Sequence, residues 1–336
     1  MTESLSGVEI CAGAGGQAVG LEAAGYEHEL AVEIEPEACA TLRLNRPSWK
    51  IHEGDVREIN GRDHAGIDLL SGGVPCPPFS IAGKQLGADD ERDLFPEALR
   101  LVREARPSAV MLENVKGLAS ARFTPYRESI LAVLDGMGYE SWWHLLYASE
   151  FGVPQLRPRF VLVAIQRKYL KNRDFQWPTI VGAARTVGET LYPMMAANGW
   201  TGADAWQAKA LGIAPTIVGG SRRHGGPDLG PTRARAAWLE LGVDGRGVAN
   251  TAPDEGTPFG HTPRLTLEMV AAIQGFPETW KFAGRKTSAY RQIGNAFPPP
   301  VARSVGLSIR SALTGKSFHE IARERYNEPG RLLPAI

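Results

Sequence analysis

The chain has only three cysteines, Cys11, Cys39 and Cys76, and no two of them form a C-x-x-C pair. An odd, scattered set argues against both a disulfide framework and a zinc site, and fits a reducing, cytoplasmic compartment. Long apolar runs are also absent; none reaches the roughly 18 residues that a membrane helix needs, so no membrane partner is expected. The opening stretch "MTESLSGVEI" lacks the basic and apolar regions of a signal peptide. Charge of one sign is not in excess either, because Lys plus Arg and Asp plus Glu both total 37. That balance excludes a uniformly adhesive cationic surface but permits local basic patches. There is no tandem repeat and no pattern of metal ligands.

What is present is a chain of 336 residues, 43% hydrophobic, enough for two domains or one large domain with an insertion. Over the first 165 residues short apolar runs alternate with helical patterns. "VEIC" (8–11), "ELAVE" (29–33), "IDLL" (67–70), "AVMLEN" (109–114) and "FVLVAI" (160–165) read as strands. A helix precedes Gly25, Pro36 opens another at its first position, and "LFPEALRLVREAR" sets Phe95, Leu99 and Val102 on one face before Pro107 stops it. Such alternation predicts a mostly parallel sheet covered on both faces. The pattern weakens over 178–262 and returns at "RLTLEMVAAIQGFP" (264–277). A last helix is expected at 299–313, with residues 315–336 loosely packed.

Gly13 and Gly15 follow the first strand, and Glu33 ends the second. In a doubly wound sheet such a turn lets a ligand approach the backbone, and the acid binds ribose hydroxyls. The turn departs from G-x-G-x-x-G, so an adenosine ligand other than a dinucleotide fits better; read alone, it is also compatible with an ordinary tight turn. Asp55 follows a third strand and could bind adenine or cap a turn. Cys76, inside "GGVPCPPFS" (72–80), and Glu113 both fall at carboxyl ends of strands, the edge where open α/β sheets bind ligands. Either could be structural by itself, a small buried hydrophobe or a surface acid. Together they favour covalent catalysis with acid assistance.

The motifs "EICAGAGG" (9–16), "PCPPFS" (75–80), "ENV" (113–115), "QLRPR" (155–159), "RLTLEMVAAIQGFP" (264–277) and "GNAFPPPVA" (294–302) occur in this order. In that order they resemble the DNA (cytosine-5) methyltransferases, of the prokaryotic restriction-modification type, over residues 8 to about 305. The resemblance implies a doubly wound, Rossmann-like α/β domain dependent on S-adenosyl-L-methionine, with a smaller target-recognition domain. It implies that Cys76 is a thiolate adding to cytosine carbon 6, held by its prolines. Glu113 would contact N3 and the exocyclic amine, Arg159 the cytosine O2, while Arg157 and Asn114 support the active-site loop. For the cofactor it implies Cys11, Gly13, Gly15, Glu33, Ile34, Asp55, Val56, Pro75, Leu94, Asn295 and Ala296. Two residues depart from the family pattern: Cys11 stands where Phe is usual, and Ile34 where an aromatic often stacks on adenine.

The target base must leave the duplex to meet a thiol, and "SIAGKQLGADDERDLF" (80–95) resembles the family's mobile loop. Ser80, Lys84 and Gln85 would touch phosphates of the flipped nucleotide. The recognition region would lie between the "QLRPR" and ninth motifs, where "APTIVGGSRRHGG" (214–226) offers Thr216, Gly219, Gly220, Arg222, Arg223 and His224 as DNA-binding residues. Arginine reads guanine in the major groove. Residues 157–174 carry six basic residues against one acid, a source of phosphate attraction. The expected domains are 1–175 plus 286–325 for catalysis and cofactor, 176–285 for recognition, and 326–336 as a tail. The length leaves no room for N-terminal regulatory modules. A cytoplasmic monomer is expected, with duplex DNA as partner, no metal, and a cognate restriction endonuclease acting separately. An RNA cytosine methyltransferase and a non-catalytic DNA-binding relative are the competing readings; the recognition segment weighs against the first and the intact Cys76, Glu113 and Arg159 against the second.

Overall fold

The computed structural model describes residues 4–75, 93–171, 174–179, 184–220 and 226–326. Seven strands, β1 (Leu5–Ile10), β2 (Tyr26–Glu33), β3 (Ile51–Glu53), β4 (Leu69–Gly72), β5 (Ala109–Val115), β6 (Tyr139–Tyr147) and β7 (Pro158–Gln166), form one sheet in the order β3-β2-β1-β4-β5-β7-β6. The first five are mutually parallel; β7 runs antiparallel to β5, and β6 antiparallel to β7. The helices are α1 (Gly16–Ala23), α2 (Pro36–Asn45), α3 (Phe95–Ala105), α4 (Thr124–Gly136), α5 (Arg167–Leu170), α6 (Val187–Ala196), α7 (Ala203–Lys209), α8 (Thr232–Glu240), α9 (Leu267–Ile273), α10 (Lys286–Asn295), α11 (Pro299–Thr314) and α12 (Phe318–Tyr326).

Side chains alternate across a strand, and both sheet faces are apolar. On one face Ile10, Val32, Leu70, Val110 and Leu162 meet Phe95, Leu101 and Val102 of α3 and Leu134 of α4. On the other, Leu69, Met111, Val161 and Val163 meet Leu21 of α1 and Val301, Val305 and Ile309 of α11. This double coverage is why the central strands read as unbroken apolar runs.

α1 and α11 cross almost backbone to backbone. A Cβ on Gly16 would sit 2.4 Å from Phe297 O, and one on Gly20 2.3 Å from Pro299 O. Tyr26 Oη then donates to Gly306 O at 3.1 Å. Pro299 occupies the first turn of α11, and Gly315 ends it at φ 75, the usual proline-in, glycine-out grammar. Pro36 opens α2 in the same way.

Four expectations need correction. β1 stops at Ile10, because Cys11 turns into the left-handed region at φ 50. The strand expected at 67–70 is shifted to 69–72. β5 continues past Glu113 to Val115, so Glu113 lies within the strand, opposite Val161. Residues 318–326 are helical and bury Ile321 against α11 rather than trailing loosely. The unpatterned region holds α6, α7 and α8 around Trp200, Trp206 and Trp238, whose core is continuous with Val19 and Leu42 of the sheet side.

Candidate active site

The strand order reverses between β1 and β4, the place where a crevice opens at the carboxyl ends of a doubly wound sheet. A cavity of about 430 Å³ lies there, lined by the 11–17 turn, Glu33, Gly73, Glu113 and one face of α10. Gly13 adopts φ 55 with open space where a Cβ would be. Its N–H donates to Glu33 Oε2 at 2.7 Å, and the N–H groups of Ile34 and Glu35 donate to Oε1, each at 2.8 Å. Burial raises the Glu33 pKa, and these three donors oppose that rise. Gly15, at φ 86, leaves no room for a side chain: a Cβ would meet Trp280 at 2.7 Å and Leu42 at 2.8 Å. Trp280 Nε1 donates to Ala14 O at 3.0 Å, bracing the turn from the far side.

At the other end of the cavity Glu113, 9% exposed, is ion-paired with Arg159, Nε to Oε1 at 2.6 Å. The register opposite Val115 brings Arg159 to the end of β5. Gly73, three residues before Cys76, lies against this carboxylate: a Cβ on it would be 3.3 Å from Glu113 Oε2. Asn114 Nδ2 donates to Val74 O at 2.9 Å, tying β5 to the chain that enters the thiol loop. The other end of that loop is held as well, since Leu94 N donates to Pro75 O at 3.3 Å.

Arg157 is completely buried, at φ 21, and donates to Ile217 O, Gly294 O and Ala296 O at 2.8, 2.8 and 2.7 Å. Burial, with Arg159 nearby, pushes its pKa well down, and Glu113 pulls the other way. It pins residue 217 and the 294–296 turn to the β7 entrance. Gln155 and Gln274 extend the junction. Gln155 accepts from Ile217 N at 2.8 Å and donates to Gln274 Oε1 at 2.5 Å, and Gln274 donates to Ile293 O at 2.9 Å.

Of the residues expected at the cofactor, Cys11, Gly13, Glu33, Asn295 and Ala296 line the cavity together, and Gly220, expected to bind DNA, lines it as well. Ile34 is 60% exposed beside it. Asp55 caps a short turn of 3₁₀ helix and pairs with Arg57 at 2.9 Å, while Val56 is buried in the core. Pro75 is exposed just after β4, and Leu94 is half-buried as the residue that opens α3. Thr216 is half-buried, and Gly219 packs on α10, where a Cβ would be 2.5 Å from Arg291 O. Cys76, Ser80, Lys84, Gln85, Arg222, Arg223 and His224 lie outside the described residues.

The sequence pattern gave no notice of Glu9, Gln17, Arg291 or Trp280. Arg291 and Asn295 stand on one helical face with Ser288 and Gln292, and this spacing in "SAYRQIGN" is the signal that could have found that wall. No cluster of His, Cys, Asp and Glu suited to a metal ion occurs among the described residues. No helix among them is long and apolar enough to cross a membrane.

A mostly parallel open sheet with a glycine turn, a buried acid at the end of β2 and a cavity at its reversal defines an α/β protein built to bind a nucleoside cofactor. The chain belongs to the C-5 cytosine-specific DNA methylase family, whose model matches residues 5–311. Its activity and cofactor follow: a DNA (cytosine-5-)-methyltransferase using S-adenosyl-L-methionine. It is 61% identical over 315 residues to the type II methyltransferase M.NaeI of Lentzea aerocolonigenes, covering 93% of this chain and 76% of that one. It is 52% identical over 313 residues to M.NgoMIV of Neisseria gonorrhoeae, covering 92% and 98%. Its fold resembles that of a DNMT2 mutant from Spodoptera frugiperda, with TM-score 0.63 at 18% identity, covering 91% of this chain and 99% of that one.

The cavity's own chemistry fits such a cofactor. The open Cβ space at Gly13 leaves room for close approach of a ligand to the backbone. Both amide atoms of Gln17 are buried at the cavity wall without a hydrogen-bond partner.

Proposed function

We propose that this chain methylates carbon 5 of a flipped-out cytosine within a specific duplex DNA sequence, through a covalent bond between Cys76 and cytosine C6. We propose further that the methylation protects DNA from a restriction endonuclease acting as a separate protein. The observation that carries the reading is one cavity with the glycine turn and Glu33 at one end, and the Glu113–Arg159 pair, with Gly73 against it, at the other. That arrangement puts a nucleoside site and an acid–cation pair together at the root of the thiol loop.

Carbon 5 of cytosine is a poor nucleophile. A Cys76 thiolate bonding to C6 makes the C4–C5 side enamine-like. Glu113 contacts N3 and the exocyclic amine and supplies the proton that balances the added thiolate, a task that positioned carboxyl groups perform well. Arg159, on the same carboxylate, reaches the cytosine O2, and Asn114 and Arg157 hold the loops in register. S-adenosylmethionine, when bound, supplies the electrophilic methyl group. A solvent base takes the C5 proton as the C6–S bond breaks and frees the Cys76 thiolate, and the N3 proton returns to Glu113, which restores the aromatic base.

Residues 1–175 with 286–325 form the catalytic part in this reading, and 176–285 the recognition part, where Thr216, Gly219, Gly220 and the 222–224 basic cluster face DNA. Ser80, Lys84 and Gln85 hold the flipped nucleotide's phosphates. The enzyme works as a cytoplasmic monomer. The names of the curated relatives, type II methyltransferases, support the restriction-modification setting.

The test is labelled methyl transfer to duplex DNA and to tRNA, followed by challenge with duplex carrying 5-fluorocytosine. Fluorine blocks loss of the C5 substituent, so the expected result is a denaturation-resistant protein–DNA adduct that Cys76→Ala cannot form. Methylation of tRNA alone, or turnover surviving in Cys76→Ala, would overturn the reading.

A further inference from the structure

The basic run of residues 157–174 is divided by the fold between the two ends of β7. Arg159 stands opposite Val115 at the catalytic end of the strand. Ile165 stands opposite Ala109 at the other end, roughly 20 Å from the Glu113–Arg159 pair at about 3.3 Å per residue. There α5 and Lys171 meet the carboxyl end of α11, and a cavity of about 410 Å³ opens between them, nearly the size of the one that holds the glycine turn. Its wall carries Lys168, Lys171 and Lys316 against a single acid among the described residues, Asp174. Lys316 is committed to Glu324 at 2.8 Å. Lys168 and Lys171 have no ion-pair partner among the described residues; the Lys168 ammonium only lies over the Tyr169 ring, 4.9 Å from its centroid.

A hydroxyl on the same wall is also uncommitted. Ser311, Thr314 and Ser317 donate to Lys316 O, Arg310 O and Glu320 Oε2 at 2.6, 2.8 and 2.6 Å. Ser308 lines the cavity with them and is 4% exposed, yet its hydroxyl has no hydrogen-bond partner among the described residues. A helical serine can turn back to the carbonyl four residues earlier, as Ser304 does to Pro300 O at 2.9 Å in the same helix. Ser308 does not. We propose that this cavity binds a phosphate group, with Lys168 and Lys171 as its cations and the Ser308 hydroxyl as a neutral donor. Ammonium and hydroxyl groups are donors, and lysine holds phosphate as a point charge. Two uncommitted cations favour a multiply charged anion over a single carboxylate. The phosphate belongs to a free small molecule or to a nucleic-acid backbone, since both present the same oxygens. The site lies at the sheet edge opposite the methyl-transfer cavity and stands independently of the reaction proposed there.

The experiment is calorimetric titration of the full chain with pyrophosphate and with citrate, alongside duplex DNA binding followed by fluorescence anisotropy. Pyrophosphate should bind the wild type more tightly than citrate. Lys171→Ala and Ser308→Ala should each weaken pyrophosphate about tenfold and leave S-adenosylhomocysteine, bound at the other edge, within about a factor of two. Ser308→Ala is the sharper variant, because it removes one hydroxyl and no charge. If pyrophosphate does not bind but both variants weaken duplex DNA, the site stands and its phosphate is that of a nucleic-acid backbone. Citrate bound as tightly as pyrophosphate, binding of neither phosphate source at this cavity, or a Ser308→Ala variant that matches the wild type on both overturns the assignment.

Discussion

Asn295 lines the cofactor cavity and, through Nδ2, donates to Gly220 O at 3.1 Å, so one side chain touches both the nucleoside site and the segment proposed to face DNA. Two ligands biasing one contact must affect each other's affinity equally. Cofactor affinity measured with and without cognate duplex should therefore show mutual tightening of about fivefold or more in the wild type. Asn295→Ala should bring that ratio close to one. An unchanged ratio in the variant would show that the contact transmits nothing.

Gly219 is the tightest point of the same junction. A Cβ there would lie 2.5 Å from Arg291 O and 2.7 Å from Asn295 Oδ1. Gly219→Ala must push residues 217–220 off α10, at a cost of about 1–3 kcal/mol for overpacking. Lower thermal stability and a raised KM for duplex DNA are expected. Gly226→Ala, with open space around its Cβ, is the control and should match the wild type. Indistinguishable melting of the two variants would refute the close-packing account.

Glu113→Gln keeps the shape of the side chain that meets Arg159 but removes the ionisable group. Single-turnover methylation should slow about 10²-fold or more, within the range for an acid–base residue. Cofactor binding should hold, because Glu33 and the glycine turn lie at the far end of the cavity. A near-wild-type rate would make Glu113 a structural partner of Arg159 only.

The thiols should divide sharply in reactivity. Burial first, then the nearby carboxylates of Glu33, Asp55 and Glu9, push Cys11 up to about 12. Burial and Glu33 also push Cys39 up to about 12. Both remain protonated well above neutral pH, and the thiolate is the reactive form. Iodoacetamide at pH 8 should therefore alkylate Cys76 first, with mass spectrometry giving the site. Labelling of Cys11 or Cys39 in the folded protein as fast as Cys76 would contradict this.

Specificity gives a separate test. If residues 214–226 read bases, Arg222→Ala or Arg223→Ala should cost about 1–3 kcal/mol and relax one position of the site. Lys171→Ala, if Lys171 contacts phosphate, should weaken all sequences alike and reduce the salt slope by about one. Methylation of a randomised duplex library, with binding followed across salt, separates the two. An unchanged preference in both arginine variants would make "SRRHGG" a backbone clamp.

The sheet and the cavity's first wall were legible because parallel strands buried on both faces must be apolar throughout, as at Val110–Leu112 and Val161–Ile165. Glu33, Glu113 and Asn295 were legible through their motifs. β6 was not, because its half-exposed side chains form no clean apolar run. The helices of 187–240 are short and fixed by Trp200, Trp206 and Trp238, whose contacts come from distant residues; α6 even carries Pro193 internally. Its capping box, Thr186 with Glu189, was present in "TVGE" as a local start signal. Trp280 and Gln17 were hidden for a different reason. Each matters only through a neighbour brought near by folding, Ala14 O for one and the cavity for the other.

The crossing of α1 with α11 sets a timetable for the enzyme's birth. The glycine turn is translated near the beginning, yet Gly16 and Gly20 rest on Phe297 and Pro299, and Tyr26 on Gly306. At roughly 5–20 residues per second on the ribosome, the first-made wall of the pocket waits on the order of tens of seconds for the last. During that interval the nascent chain lacks the α10–α11 side of its cofactor site. The cofactor pocket is thus completed only once α11 has left the ribosome and packed on α1.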